Sequence, residues 1–383
     1  MAERLRELAS VFLRLGTIAF GGPVAHIALL DREVVEHRQW MSRERFLDLL
    51  GVTNLIPGPN STELAIHIGY ERAGVLGLLV AGGCFILPAM LIVWGLAVLY
   101  VHYQTLPQLN DLLYGIKPVI VAIVLQALAK FAIKAAKDHL TRLGAGLALV
   151  GYILGWNELA VLFGVGVVVM LLRTWRPGLS SAAGWVPVLG IAGLADAGRP
   201  MSGVNGQDVS GLAVFWFFLK IGAVLYGSGY VLLAFLQREL VERNHWLTVQ
   251  QLLDAITIGQ VTPGPVFTTA TFVGYLLAGH PGAIAGTVGI FLPAFVFVWL
   301  VTPWVSKLRQ SVWASGFLDG VNAASLGLMA GVSFTLTRAA LVDPITIVLG
   351  LLSLIVLWRW RLNSAWLVLL GGSVGLVYQQ LSS

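Results

Sequence analysis

The chain of 383 residues carries 24 Lys and Arg against 19 Asp and Glu, a formal net charge of +5; 57% of its residues are hydrophobic and only 11% charged. Soluble domains hold about 25% charged residues, so this composition and the mean hydropathy of +0.83 exclude a soluble enzyme or a basic nucleic-acid-binding domain and define an all-α polytopic membrane protein. The single cysteine, Cys84, excludes an internal disulfide and a cysteine-built metal cluster.

Residues 1–16 show no small-residue cleavage site ahead of a hydrophobic core, so no removable signal peptide is expected. The first apolar stretch, 11–30, contains Arg14 and is interrupted by Phe20-Gly21-Gly22-Pro23, with His26 just behind. A polar segment, 31–45, follows and reads as interfacial. Next comes Asn54-Leu55-Ile56-Pro57-Gly58-Pro59-Asn60-Ser61-Thr62, at a depth where hydropathy places the chain inside a bilayer. Each proline lacks an N–H and disfavours helical dihedrals before it, so a helix must stop near Ile56 and restart near Asn60. The restart aims unpaired N–H groups at whatever lies in front of it. Irregular backbone survives at membrane depth only where protein or a wet cavity satisfies it. Apolar runs then occupy 75–100, 112–131 (after which lies the basic loop 134–142), 143–156 and 159–172. Gly, Pro and Ser accumulate over 173–210, so residues 1–178 form a first unit, 179–209 a linker and 210–383 a second unit. Its runs are 215–236, 284–301, 317–335, 345–358 and 366–378. Several fall short of the roughly 20 residues that a span needs.

An offset of 206 positions lays the second unit on the first. Arg14 falls on Lys220, Arg32-Glu33 on Arg238-Glu239, Trp40 on Trp246, Asp48 on Asp254, and Pro57-Gly58-Pro59 on Pro263-Gly264-Pro265. With one residue removed, Gly69-Tyr70 meets Gly274-Tyr275 and Pro88 meets Pro293. Apolar composition alone does not put Trp, Pro and charge in register. Short basic loops belong to the cytoplasm. Placing most of them on one side gives each unit five spans plus a re-entrant break, which makes the halves inverted repeats. Matched helix breaks in two halves are the sequence pointer to a transporter's binding site.

The restarts Asn60-Ser61-Thr62 and Phe267-Thr268-Thr269 present N–H groups, hydroxyls and the positive end of a helix dipole, a combination suited to an anion. Gly21, Gly22 and Pro23, with Gly227, Ser228 and Gly229, are matched breaks beside them. The alternative is that the prolines kink buried helices and the Thr hydroxyls bond back to carbonyls. For Arg14 and Lys220, substrate steering and snorkelling to the interface both stand. Glu63 and His67 lie one helical turn apart, as either a proton-coupling pair or a structural hydrogen bond. His26 is a ligand or a packed core residue. No histidine spacing suits a metal and no nucleotide fingerprint occurs, so no cofactor is expected. Trp40, Trp246, Trp304, Trp358 and Trp360 read as interfacial anchors.

Phe20-Gly21-Gly22-Pro23 with His26, Trp40, Pro57-Gly58-Pro59-Asn60-Ser61-Thr62 with Gly69, the run into Leu87-Pro88, Gly227-Ser228-Gly229 and Pro263-Gly264-Pro265 together resemble the chromate ion transporter (CHR) family in its long two-domain form, over nearly the whole chain. Glu63 departs from the Gln that many members carry. The resemblance implies a multi-pass carrier of the bacterial inner membrane that exports chromate and confers resistance to it, with two halves of opposed topology. The expected partners are an oxyanion (chromate, with sulfate as the alternative cargo), membrane lipid and no nucleic acid; a homodimer stays open. A dianion leaving a negative-inside cell gains about 4.6 kcal/mol per 100 mV, twice the single-charge value, so voltage alone suffices for exit, and proton coupling stands beside it as a second driver. The competing readings are another anion carrier, a polytopic membrane enzyme and a structural subunit.

Overall fold

The computed structural model describes residues 1–20, 22–54, 56–103, 106–174, 209–226, 231–302, 312–360 and 364–382. The regular secondary structure of these residues is entirely helical. The first group comprises α1 (Ala2–Ile18), α2 (Gly22–Asp31), a π-helical turn (Arg32–His37), α3 (Arg43–Thr53), α4 (Asn60–Tyr103), α5 (Pro107–Ala135), α6 (His139–Ile153) and α7 (Glu158–Thr174). The second comprises α8 (Gly211–Val224), α9 (Val231–Leu236), a π-helical turn (Gln237–Arg243), α10 (Val249–Val261), a 3-10 turn (Val266–Thr268), α11 (Thr269–Val301), α12 (Val312–Ala340), α13 (Pro344–Trp360) and α14 (Ser364–Ser382). Among the described residues, four stretches are long and apolar enough to cross a membrane: Asn60–Tyr103, Asp111–Ala135, Val266–Val301 and Val312–Ala340. The expected linker 179–209 lies, except for Val209, outside the described residues.

Local geometry recurs at the offset read from the sequence. Gln39 and His245 both take positive φ, 50° and 52°. Both long helices are interrupted at the same place. Ala73-Gly74 adopts φ/ψ of −149/24 and 61/−148, and Ala278-Gly279 adopts −143/24 and 59/−146. Each interruption is a reversal. Gly69 lies against the Gly77 carbonyl and Gly82 against Ile66; likewise Gly274 meets Gly282, and Gly286 meets Ala270. These contacts straddle the turn, so 60–72 and 75–103 are two limbs of a hairpin, and α11 folds back in the same way. Small residues at the contacts let the backbones approach closely, the usual basis of helix packing in lipid. Along the second limb of α4, Gly77, Ala81, Phe85, Ala89, Val93 and Ala97 recur every fourth position and are buried. Leu76, Leu79, Leu87 and Leu91 point outward and are about half-exposed, a lipid-facing surface.

The two groups are interleaved. α6 and α7 pack on α12, while α13 and α14 pack on α5. Gly115 sits against Gly371 and Gly375, and Gly320 against Val165 and Gly166. The outgoing limbs of α4 and α11 also touch, in opposite order along the chain. Gly82 lies on the Phe295 ring, and Trp94 Nε1 donates to His280 Nδ1 at 3.1 Å. These two limbs therefore run antiparallel.

Two expectations need correction. The apolar run 215–236 is not one span: α8 ends at Val224 and α9 starts at Val231, mirroring the gap between α1 and α2. Trp246 is not an interfacial anchor but 6% exposed, packed against Phe217 with ring centroids 5.9 Å apart. Trp40 is held under the guanidinium groups of Arg38 and Arg72. Trp304 lies outside the described residues.

Candidate functional site

The Pro-Gly-Pro elements leave their helices where the sequence demands it. α3 ends at Thr53 and α4 begins at Asn60; α10 ends at Val261 and the chain restarts through the turn Val266–Thr268. Gly58 takes φ +141° and Gly264 φ +91°, dihedrals that a residue with a Cβ rarely adopts. Their amides are not left open. The Gly58 N–H donates to the Leu225 carbonyl at 2.8 Å, and the Gly264 N–H donates to the Ala19 carbonyl at 2.9 Å. Ala19 and Leu225 cap the ends of α1 and α8 and are equivalent at the offset. Each break is thus completed by the end of the other group's opening helix. Gly58 also packs on Ala294 and Gly264 on Ala89, again an equivalent pair.

Around the first break the side chains are polar. His26 is 1% exposed; its Nε2 lies 3.0 Å from the Ala19 carbonyl and its Nδ1 3.2 Å from Ser61 Oγ. A carbonyl only accepts, so Nε2 carries hydrogen and a neutral ring takes the Ser61 hydroxyl hydrogen on Nδ1. Ala19 O therefore receives both His26 and Gly264. Asn60 Nδ2 donates to Asn54 Oδ1 at 2.8 Å, and Asn54 Nδ2 to the Leu50 carbonyl at 2.8 Å, tying the end of α3 to the restart. Ser61, Thr62, Glu63 and His67 are all buried. Both Glu63 carboxylate oxygens, Thr62 Oγ1 and His67 Nε2 have no hydrogen-bond partner among the described residues. His67 Nδ1 lies 3.3 Å from Thr302 Oγ1 at the end of α11. Glu63 and His67 share a helix face, as their spacing requires.

The second break is built differently. Thr268 Oγ1 donates to the Pro265 carbonyl and Thr269 Oγ1 to the Val266 carbonyl, each at 2.8 Å. These hydroxyls close on their own backbone, the back-bonding alternative weighed above. Leu232 stands where the first group has His26, and Phe267 where it has Ser61. Gly21, Gly227, Ser228 and Gly229 lie outside the described residues; Gly22 and Pro23 open α2.

The two steering cations are elsewhere. Arg14 is half-exposed and pairs with Glu33 at 2.5 Å. Lys220 lines a cavity of about 30 Å³ with Glu158, Phe217, Phe235 and Glu239, room for about one water. A third cation, Lys117, reaches Asp254 at 2.9 Å and Gln250 Oε1 at 2.7 Å, and Tyr100 OH also donates to Asp254 at 2.9 Å. Asp254 is 4% exposed. The sequence offers Lys117, whose counterpart near the offset is Asn322, as a one-sided gate or an interfacial residue; its pairing with Asp254, like the crossed amide bonds, is visible only in space.

Broken, interleaved helices, four stretches of which are long and apolar enough to cross a membrane, with buried polar groups gathered at a helix restart, have the build of a membrane transporter. A family model described as Chromate transporter matches residues 6–193 and 212–376, and the chain belongs to that family. A chromate transport protein of Cupriavidus metallidurans is 33% identical over 380 residues, covering 97% of this chain and 93% of the relative. A probable chromate transport protein of Synechococcus elongatus is 30% identical over 387 residues, 98% and 96% of the two chains. A chromate transport protein of Pseudomonas aeruginosa is 30% identical over 381 residues, 96% and 91% of the two chains. No solved structure matches. The family's transporters are not enzymes, and its substrates are oxyanions met in a lipid environment.

Proposed function

We propose that this chain exports chromate from the cytoplasm across the inner membrane, with the oxyanion resting at the Pro57-Gly58-Pro59 break. The observation that carries the reading is the first break itself: a helix restart, closed from behind by Leu225, with Ser61, Thr62, Glu63 and His67 buried around it. A restart offers N–H groups and the positive end of a dipole to an anion. Chromate as cargo is supported by the names of the relatives; helix-end amides distinguish chromate poorly from sulfate, another tetrahedral dianion. Pro263, Gly264 and Pro265 serve as the counterpart that braces the end of α1. The membrane potential drives exit, and a carrier of this direction confers chromate resistance.

The two groups are inverted repeats in this reading, each beginning with a broken hairpin. The antiparallel second limbs of α4 and α11 and the crossed bonds to Ala19 and Leu225 support it. A cysteine-free chain (Cys84→Ala) bearing Glu36→Cys or Glu242→Cys, both on exposed parts of the π-helical turns, is labelled by an impermeant thiol reagent from opposite sides. Labelling from one side removes the inversion. For cargo, everted vesicles with an imposed interior-positive potential should accumulate labelled chromate. Accumulation of sulfate with no chromate movement would reassign the cargo.

A further inference from the structure

The two broken segments match in sequence but not in surroundings. At equivalent positions Leu47 of α3 is 53% exposed and Leu253 of α10 0%; Ile18, ending α1, is 52% exposed and Val224, ending α8, 3%. Leucine stands at both of the first two places, so residue type does not set the difference. The second set is covered by α5, α7 and α12. Lys117 of α5 holds both Asp254 and Gln250 of α10, and Gln250 Nε2 donates onward to the Ala339 carbonyl of α12 at 3.4 Å. Glu158, opening α7, accepts from Arg238 Nε at 3.1 Å. The ring of Tyr226, just past α8, meets that of Phe317 of α12 with centroids 6.4 Å apart. Arg32 and Phe20, the counterparts of Arg238 and Tyr226, are exposed instead. Among the described residues, the side-chain bonds from α5–α7 and α12 to a broken segment all run to the second one. The uncovered side of the first is not a plain lipid face. Arg14 lies one turn from Ile18, and Asn54 two turns from Leu47, both exposed, and charged or polar groups at membrane depth face water or protein.

We propose that the Lys117–Asp254 and Glu158–Arg238 pairs are the latches of a transport gate. The bundle of α5–α7 and α12 is docked on the second broken segment and parted from the first. The anion therefore reaches the first break from the uncovered side, past α1 and α3, and each cycle unlatches the second segment and docks the first. This rests on the transport reading. Related halves around one binding site carry cargo by such rocking of one bundle against another. A buried ion pair suits a latch, because the attraction it loses on opening is offset by the hydration that both charges regain. Asp254 also lies two turns before the end of α10 at Val261, so release there frees the stretch that enters Pro263-Gly264-Pro265.

The test uses the full cysteine-free chain (Cys84→Ala) in everted vesicles with chromate as probe. N-ethylmaleimide, which crosses membranes and reacts with water-exposed thiols, should label Leu47→Cys and spare Leu253→Cys at rest. During chromate flux the pattern should shift, with Leu253→Cys becoming labelled and Leu47→Cys slowing. Lys117→Cys with Asp254→Cys, tied by a bifunctional disulfide-forming reagent, should lose flux and regain it once the tie is reduced and the reductant washed out. Tyr226→Cys with Phe317→Cys leaves both ion pairs in place and is the second lock, with the same outcome expected. Flux that continues through either tie would overturn the gate, as would a Leu253→Cys that stays protected while chromate moves. A cysteine-free parent that carries neither chromate nor sulfate would overturn the transport reading and the gate with it.

Discussion

Gly58→Ala and Gly264→Ala place the same methyl group at equivalent breaks, and the structure makes their consequences differ. Both positions have positive φ, +141° and +91°, and a non-glycine residue there costs about 1–3 kcal/mol. The added Cβ at Gly58 meets Glu63 Oε1 at 2.3 Å, the far end of a flexible side chain, and otherwise only Ala294 Cβ at 3.5 Å. Glu63 can swing away, so the steric part is small in stability but falls inside the proposed anion site. At Gly264 the added Cβ meets Ala89 Cβ at 2.6 Å, a stub on a long helix with no rotamer to change. Overpacking of that kind costs a further 1–3 kcal/mol or so. Gly264→Ala should therefore lose about 2–6 kcal/mol in all and Gly58→Ala about 1–3 kcal/mol. The ordering should reverse in function, with Gly58→Ala weakening the apparent affinity for chromate and Gly264→Ala leaving it in place in whatever fraction still folds. Denaturant unfolding in detergent, run beside liposome flux over a chromate concentration series, reads both quantities. A Gly58→Ala protein that is less stable than Gly264→Ala, or one with unchanged apparent affinity, would refute the reasoning.

Lys117→Met alone should destabilise by about 3–5 kcal/mol, because Asp254 is left buried with the Tyr100 hydroxyl but no counter-charge, whereas Lys117→Met with Asp254→Leu should recover most of the loss; unfolding of the two variants beside wild type forms the check. His26→Leu, which copies the second break's Leu232, removes the bonds to Ala19 and Ser61 and should cost about 1–3 kcal/mol. Gly264 still satisfies the Ala19 carbonyl, so the lower end is expected in the same unfolding assay. Asp138 caps α6, and the backbone N–H of Thr141, with help from the Thr141 hydroxyl and Arg173, holds its carboxyl down at about 2. A depressed carboxyl stabilises the fold above its unfolded value near 4 and loses that contribution as pH falls from about 4 to about 2. Acid unfolding of Asp138→Ala should lack this component; an unchanged acid profile would remove the cap from the account.

Much of this architecture was legible because its determinants are local. Proline cannot continue a helix, and so the breaks at Pro57 and Pro263 appear in the sequence as they do in space. The offset placed Gly58 on Gly264 and Ala19 on Leu225, but it could not show that each glycine bonds to the other group's carbonyl, since backbone donors leave no residue signature. The turns at Ala73-Gly74 and Ala278-Gly279 fall just ahead of the apolar runs 75–100 and 284–301, the second in a stretch that reads as a loop, yet only the dihedral angles and the contacts across them show that the chain reverses there. Arg14 illustrates the opposite limit: its type and position suited both steering and snorkelling, and nothing local showed that Glu33, 19 residues on, pairs with it. The difference between the two breaks was half visible, as Glu63 and His67 have no acidic or imidazole counterpart. What it means depended on where Thr268 and Thr269 spend their hydroxyl hydrogens.

The exchanged bonds from Gly58 to Leu225 and from Gly264 to Ala19 have a practical corollary for how the molecule is put together. Neither stretch can finish its own interrupted hairpin; each borrows an acceptor from its counterpart, like two hands gripping each other's wrists. The clasp itself is made by residues on either side of the peptide that joins them. Fragments 1–174 and 209–383, produced as separate polypeptides in one cell, should clasp into a working pair, and either one made alone should be cleared by proteolysis.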